Sequence, residues 1–443
     1  MFTEDKLRKL IIPLIIEQFL AVAMGMADTF MVSSCGEAAV SGISLVDTIC
    51  ILMFGLFTAM SSGGSVVVAQ YMGKKDRDMV GKASNQLFLA VGSFSVLFMV
   101  IGLLGNNALL GFIYGNLEPE VMEAARIYFF YSALAFPVIG LYNGAAALFR
   151  SIGNSKLPMK VSMSCNLLNV VGNALLIYGF NMGVTGAAIS TFVARVVAAI
   201  AIMGALIKSD ELVLNKSWKL DWGVMKKILY IGVPNGIESS IFQVGKLILS
   251  SLIASFGTAA ITANAVVNSV GSLQLVPSNA MGIGIITVVG QCIGAKETEA
   301  AKKYLFKMLR MTQLMMVILG VPLFLFARPV FGLYHLSEET MEIAIQLQIF
   351  NCFASIIAQP YAFPLANGLR AANDVRYTMV VSIITMFTCR IALAYVLGDF
   401  CGLGVLGVWI AMSIDWVVRA IFFIGRVRTG KWLRYMNKIT ETA

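Results

Sequence analysis

Long apolar segments alternate with short polar ones from one end of the chain to the other. Each apolar segment has about 20 residues, which is the length that an α-helix needs to cross the hydrocarbon core of a bilayer. Twelve segments can be placed, at 10–32, 46–70, 86–106, 127–149, 158–180, 184–207, 228–254, 264–290, 306–328, 343–367, 377–398 and 403–425. The pattern predicts an all-α integral membrane protein with twelve transmembrane helices.

Composition and charge agree with a membrane protein and add its orientation. The 443 residues are 58% hydrophobic and only 13% charged, whereas about 25% is usual for soluble domains. The net charge of +9 is concentrated in the N-terminus, the C-terminal tail and every second loop. The alternate loops contain no Lys or Arg at 33–45, 107–125, 181–183, 255–263, 329–342 and 399–402. Basic loops stay in the cytoplasm, so we expect a multi-pass protein of the inner (plasma) membrane with both termini cytoplasmic.

The second half of the chain repeats the first, at a spacing of 221 residues for most blocks. Pro13 and Glu17 in LIIPLIIEQ return as Pro234 and Glu238 in YIGVPNGIES. Further matched blocks are CGEAAV (35–40) with FGTAAI (256–261), VVVAQYMGKKD (66–76) with TVVGQCIGAKE (287–297), LFRSIGN (148–154) with GLRAAND (368–374), and GVTGAAI (183–189) with GVLGVWI (404–410). Such self-similarity indicates an internal duplication.

Each half contains six predicted segments, an even number, so both halves enter the membrane from the same side. This predicts two six-helix lobes related by a two-fold axis along the membrane normal, as in several secondary transporters. We expect an N-lobe at 1–207, a cytoplasmic linker at 208–227, a C-lobe at 228–425 and a basic cytoplasmic tail at 426–443.

Four local patterns resemble a known transporter family. They are a proline near the start of the first segment, MGMADTFMV (24–32), QYMGKKD (70–76) after the second segment and LFRSIGN (148–154) after the fourth. Together with the repeat, they resemble the multidrug and toxic compound extrusion (MATE) family, over nearly the whole chain. The resemblance implies two lobes around a central cavity. It also implies a secondary active antiporter that exports organic, often cationic, drugs or metabolites in exchange for H⁺ or Na⁺ by alternating access.

Asp28 is the first candidate for ion coupling. It lies in the outer half of the first segment, and a carboxyl group in hydrocarbon is costly unless it has a function. In the MATE family, the aspartate of this motif binds the coupling ion. Some members carry a second aspartate in the fifth segment, where this chain has Asn173. We therefore expect a site with one carboxylate, Asp28, and with Asn169 and Asn173 as amide partners. Na⁺ coordination at Asp28 remains an alternative to proton binding.

A second set of polar residues is expected to line the cavity or its gate. Glu17 is either a second proton station or a carboxylate paired with a nearby Lys or Arg, and its repetition as Glu238 favours a shared structural or gating role. Pro13 and Pro234 are expected to kink their helices. Asn166 lies on the same helix face as Asn169 and Asn173. The remaining candidates are Gln243, Lys246, Asn264, Asn268 and Gln359.

Further charged residues lie within the apolar segments. Lys246 is a lone cation that needs a carboxylate or a water-filled cavity, and it argues against exclusively cationic substrates. For the other intramembrane charges, ion pairing within one lobe is expected at Asp47, Arg195, Arg390, Asp415 and Arg419.

Other classes of function receive little support from the sequence. It has no HExxH, Walker or His/Cys cluster, so we expect neither an enzyme nor a metal or cofactor site. The basic residues are concentrated in alternate loops, so membrane topology explains the positive net charge and we do not expect nucleic-acid binding. The main alternative is a flippase for lipid-linked glycans or related amphipathic substrates. The expected partners are a small organic substrate and the lipid bilayer, and the expected state is a monomer.

Overall fold

The computed structural model describes residues 2–115, 118–209, 214–215 and 218–435. Within these ranges it has twelve helices long and apolar enough to cross a membrane, which confirms the twelve predicted segments. They are α1 (Glu4–Ser33), α2 (Glu37–Gly73), α3 (Arg77–Tyr114), α4 (Pro119–Ser151), α5 (Lys156–Gly179), α6 (Gly183–Ile207), α7 (Trp222–Ala254), α8 (Thr258–Gly294), α9 (Thr298–Leu325), α10 (Glu338–Ile357), α11 (Val375–Phe400) and α12 (Gly404–Arg428).

Most helices extend beyond their apolar segment because their polar ends continue the helix, and side chains cap some of these ends. The side chain of Thr3 accepts a hydrogen bond from the backbone nitrogen of Lys6, and Asp76 accepts one from Met79. Such caps satisfy backbone N–H groups that have no partner within the helix.

Two predicted segments are interrupted. The segment predicted at 306–328 ends at Leu325, and a short helix, Ala327–Gly332, follows it. The segment predicted at 343–367 is helical only to Ile357 and continues as two short helices, Gln359–Ala362 and Pro364–Ala371. Each of these last two has a proline at its start, where the absent N–H group breaks the helical hydrogen-bond pattern.

The chain forms two compact units, Phe2–Gly236 and Ile237–Ala443. In the first unit α2 packs closely on α4, and Gly42 permits this approach. A Cβ atom on this residue would lie only 2.8 Å from the carbonyl oxygen of Val121. Phe57, Phe129 and Phe136 form the centre of this unit's aromatic core. Part of the sequence between α6 and α7, at 210–213 and 216–217, lies outside the described residues, as does the end of the tail after 435.

In the second unit, α8 contacts α9, α10 and the short helix Pro364–Ala371. Its buried core includes Val267, Phe331 and Trp409. Gly407 of α12 faces the end of α11 so closely that a Cβ atom would lie 2.6 Å from the backbone nitrogen of Gly398.

The internal duplication is visible in the backbone. Residues with positive φ occur at matching places in both units, where the chain turns between helices. The matching pairs are Gly36 (99°) with Gly257 (94°), Lys75 (61°) with Lys296 (61°), Gly153 (93°) with Asn373 (67°), and Gly183 (53°) with Gly404 (57°). The two units are therefore built on the same sequence of turns.

The fifth helix of each half also differs between the repeats. α5 and α11 both end in a π-helical segment, Ala174–Gly179 and Val396–Phe400. α11 has an additional π-helical segment, Met386–Ala392, whereas α5 is regular α-helix over Lys156–Asn173. A π turn accommodates more residues than an α turn. This explains why the repeat spacing grows by one between Arg150/Arg370 and Gly183/Gly404.

Candidate functional site

Asp28 of α1 is held by two amide side chains of α5. The amide nitrogen of Asn173 donates a hydrogen bond of 2.9 Å to Oδ1 of Asp28. With its amide oriented to satisfy both of its neighbours, Asn169 donates to Oδ1 at 2.7 Å and accepts from the hydroxyl of Thr191 at 3.1 Å. The structure therefore brings together the three residues predicted as the coupling site and adds Thr191 to them.

Close packing of α5 on α6 positions these amides. The hydroxyl of Ser190 donates to the backbone oxygen of Asn169 at 2.9 Å. Gly172 makes this approach feasible, because a Cβ atom there would lie 2.4 Å from the Ser190 oxygen. Asn169 and Asn173 are consequently buried, with 6% and 1% of their surfaces exposed. Ser190 and Thr191 were missed in the sequence, where their only signal is a pair of hydroxyl residues inside an apolar segment.

The oxygen atoms around Asp28 are suited to a proton or a hard cation. Asp28 supplies a carboxylate, and Oδ1 of Asn173 is buried without a hydrogen-bond partner. No group of three or more His, Cys, Asp or Glu side chains that could hold a metal occurs among the described residues. The site therefore contains one carboxylate with amide and hydroxyl oxygens close by, a set of donors that Na⁺ accepts and transition metals do not favour.

Asn166 lies outside this hydrogen-bonded group. It is half-buried, and its side chain makes no hydrogen bond with any described residue. Asp47 and Arg195 interact electrostatically with each other, and each also interacts with Asp28. The prediction that Asp47 and Arg195 form ion pairs is wrong for the described residues, because neither has an oppositely charged partner within 4.0 Å. The guanidinium of Arg195 lies 4.9 Å from the ring centre of Phe54 instead.

Glu17 and Glu238 each form an ion pair within their own unit. Glu17 pairs with Arg150 at 2.5 Å, and Glu238 pairs with Arg370 at 2.7 Å. These four residues are repeat counterparts, so the pair was present in the duplicated unit. Of the two interpretations of Glu17, the structure shows the contact expected for a carboxylate paired with a nearby basic residue. Pro13 and Pro234 lie inside α1 and α7, four residues before these glutamates.

The intramembrane charges of the second unit form a buried triad. Oδ2 of Asp415 accepts a hydrogen bond from Arg390 at 3.5 Å, and Oδ1 accepts one from Arg419 at 2.8 Å. The three side chains are between 0% and 6% exposed, which confirms the ion pairing predicted for them. Lys246 has no carboxylate within 4.0 Å among the described residues. Its ammonium lies 5.1 Å from the ring centre of Phe242.

The remaining amide candidates either form hydrogen bonds within the second unit or have no hydrogen-bond partner among the described residues. Asn264 accepts hydrogen bonds from the indole nitrogen of Trp409 at 3.0 Å and from Asn268 at 3.1 Å. Gln359 is buried, and its side-chain oxygen has no partner. Gln243 is half-buried on α7. These amides are not gathered into one group like that around Asp28.

Comparison with known proteins gives the same family for both halves of the chain. The family model described as MatE matches residues 13–175 and 234–396. A protein of Thermotoga maritima called a probable multidrug resistance protein, NorM, is 27% identical, with 96% of this chain and 92% of the relative covered. The uncharacterized transporter YisQ of Bacillus subtilis is 26% identical, with 95% and 93% covered.

Solved structures agree at the level of the fold. A MOP superfamily transporter from Pyrococcus furiosus superposes with a TM-score of 0.90, at 20% identity and over 96% of each chain. The matches to the family model start at Pro13 and at Pro234, the two repeat counterparts. With twelve membrane-spanning helices, duplicated turns and a family match in each half, this chain belongs to the MatE family of multi-pass membrane transporters.

Proposed function

We propose that this protein is a secondary active antiporter that exports small organic molecules in exchange for H⁺ or Na⁺. The observation that carries the proposal is the contact of Asp28 with Asn173 and Asn169 inside membrane-spanning helices. A carboxylate at that depth is unfavourable unless it is partnered and used, and here its hydrogen-bond partners are neutral amides. Arg195 interacts electrostatically with both Asp28 and Asp47, so one cation stands against two carboxylates and one negative charge is left for a mobile ion to neutralise.

The coupling ion would be bound by the residues around Asp28. A proton would bind to the Asp28 carboxylate itself, while Asn169 and Asn173 orient it. Sodium would be held by the same carboxylate, and the Oδ1 atom of Asn173 is the buried oxygen available to complete its coordination. In both cases the amide network keeps the carboxylate in one orientation and leaves one negative charge to be balanced.

The transport cycle would use the two six-helix lobes in alternating access, with a cytoplasmic linker between them. The Glu17–Arg150 pair joins α1 to the last turn of α4, and the Glu238–Arg370 pair joins α7 to the last turn of the short helix Pro364–Ala371. We assign these pairs to the integrity of each lobe rather than to ion coupling. The basic loops support a plasma-membrane location with cytoplasmic termini. The relatives' description as multidrug resistance proteins supports organic substrates such as drugs.

Reconstitution tests the proposal directly. Purified protein in proteoliposomes is expected to move an ethidium-type dye when a proton or a sodium gradient is imposed, without any nucleotide. Vesicles with the same lipids but no protein are the control. Dye movement that ignores both gradients, or translocation of lipid-linked glycans with no dye movement, would contradict antiport and favour the flippase alternative.

A further inference from the structure

An uncompensated cluster of cations lies in the second unit, around the ring of Phe242. The ammonium of Lys246 lies 5.1 Å from the centre of this ring, and the guanidinium of Arg390 lies 4.8 Å from the same point. Because both distances end at the same ring centre, the ammonium and the guanidinium are no farther apart than the two distances added together. Both belong to membrane-spanning helices, where a charged group is rarely without a function.

The charges of this cluster do not balance. Asp415 is its one carboxylate, and both of its oxygens are occupied, by Arg390 and by Arg419. Lys246, Arg390 and Arg419 thus leave two positive charges in excess. Arg390 is 5% exposed, and its Nε–H has no acceptor within the part of the chain that the structure describes. A buried guanidinium donor without an acceptor is costly, so a ligand acceptor would relieve it.

Aromatic rings continue from the cluster into the same unit. Phe242 meets Phe363 edge to face at 6.3 Å, and Phe363 meets Trp416 at 6.0 Å. The indole N–H of Trp416 is also buried without an acceptor. The region therefore offers hydrogen-bond donors, excess positive charge and flat apolar surfaces, the features that recognise an aromatic organic anion.

The internal repeat explains how this cluster arose. Helices α7, α11 and α12 are the counterparts of α1, α5 and α6, which build the site of Asp28. At the 221-residue spacing, Asp28 corresponds to Leu249, Asn169 to Arg390 and Thr191 to Met412. Arg390 lies in the π-helical segment Met386–Ala392 that α5 lacks. At corresponding places, the repeated fold thus has two carboxylates, Asp28 and Asp47, near one cation, Arg195, in the first unit, and three cations near one carboxylate in the second.

Close helix packing keeps the π-helical segment next to α7. A Cβ atom on Gly245 would overlap the side chain of Met386, so α7 and α11 are in direct contact beside the cluster. Lys246 follows Gly245 and is exposed. Of the two cations beside the Phe242 ring, Lys246 is therefore the accessible one, while Arg390 is buried.

We propose that the second unit contains a binding site for the anionic group of a substrate, formed by Lys246, Arg390 and Phe242, and that it accepts aromatic carboxylates. This proposal rests on the proposed function, because the bound molecule is a transported substrate. It extends the substrate range from cations to organic anions and zwitterions. Lys246 supplies the accessible charge, Arg390 the buried one, and Phe242 the ring next to both.

Equilibrium binding to the purified protein in lipid nanodiscs tests the site. The probes are tritiated 2-naphthoate and its neutral analogue 2-naphthamide, which share one ring system. The wild type is expected to bind the carboxylate at least about tenfold more tightly than the amide, since a charge-assisted hydrogen bond contributes that much. Lys246→Gln is expected to abolish the preference and Lys246→Arg to retain it.

Lys302→Gln is the matched control, because Lys302 pairs with Glu299 on the surface of the same unit. It should keep the wild-type preference. Equal binding of naphthoate and naphthamide to the wild type, or an unchanged preference in Lys246→Gln, would overturn the anion site.

Binding is measured without an ion gradient, so its result is independent of transport. A protein that moves dye under a gradient but binds the two probes equally would lose the anion site and keep the proposed function. A protein that prefers naphthoate but transports nothing under either gradient would keep the site and lose the proposed function.

Discussion

Asn173 donates a hydrogen bond of 2.9 Å to Oδ1 of Asp28, across 145 residues of sequence and between two membrane-spanning helices. The contact joins the only acidic residue of the MGMADTFMV motif to an amide that is 1% exposed. Both partners lie in the first unit, and their 221-residue counterparts are Leu249 and Ala394. We therefore propose that ion coupling belongs to one unit of a duplicated fold.

The first prediction concerns this hydrogen bond. Asn173→Leu removes a buried donor that stabilises the charged carboxylate, and it is expected to change the ion concentration for half-maximal transport about tenfold, the effect of losing a hydrogen bond to a charged group. The concentration should fall if the ion is H⁺, because the uncharged carboxyl is then favoured, and rise if it is Na⁺, because the ion loses the Asn173 oxygen. Gradient-driven dye transport at varied ion concentration measures it. Asn166→Leu, on the same face of α5 but outside the network, should have a much smaller effect. Equal effects of the two variants would contradict the role of the network.

The second prediction concerns the Glu17–Arg150 ion pair. Glu17→Gln replaces the carboxylate that faces the largely buried guanidinium of Arg150 by a neutral amide, and it is expected to cost about 3 kcal/mol of stability, as for other broken buried pairs. Thermal unfolding of the purified protein measures the loss. The exchanged variant Glu17→Arg with Arg150→Glu is expected to recover part of it. If Glu17→Gln instead kept wild-type stability and lost gradient dependence, Glu17 would be a proton station rather than a structural residue.

The sequence predicts the helices well because the length of an apolar segment alone decides where a helix can cross a bilayer. It fails where a helix is broken at depth, as at Pro360 and Pro364, because an interrupted apolar segment has the same composition as an intact one. The partners of Glu17 and Glu238 could not be chosen either, since several loops carry basic residues at the same membrane level.

Within the site, Asp28, Asn169 and Asn173 were predicted together because they fall on known helix faces and on a recognised motif. Thr191 was not, because its contact with Asn169 depends on how α6 is rotated against α5. The orientation of Arg390 was equally hidden, since it depends on the extra residue absorbed by a π-helical segment. Local periodicity contains no information about either feature.

The third prediction uses two glycines of α12. Gly407→Ala is expected to destabilise the protein by about 2 kcal/mol, because its Cβ atom would lie 2.6 Å from backbone atoms of α11 that cannot move aside easily. Gly425→Ala meets nothing within 4 Å and is expected to leave stability unchanged or raise it by about 1 kcal/mol through helix propensity. The unfolding temperature should thus fall for Gly407→Ala but not for Gly425→Ala. An equal fall in both variants, or none in Gly407→Ala, would contradict the packing of α12 on α11.

The fourth prediction tests orientation in the membrane. Cys401 is exposed in the short connection between α11 and α12, which is expected to face the outside. In a variant with the other cysteines replaced, a membrane-impermeant maleimide should label Cys401 in intact cells. Lys156→Cys, in a background that also lacks Cys401, should be labelled only after the membrane is opened. The reverse pattern would contradict cytoplasmic termini.

The most direct test of the central assignment is dye transport by Asp28→Asn in proteoliposomes under separately imposed proton and sodium gradients. The wild type is expected to respond to one of these gradients. Asp28→Asn is expected to lose that response while still exchanging dye across the membrane when no gradient is applied. Gradient-driven transport by Asp28→Asn at the wild-type level would contradict the coupling role of Asp28.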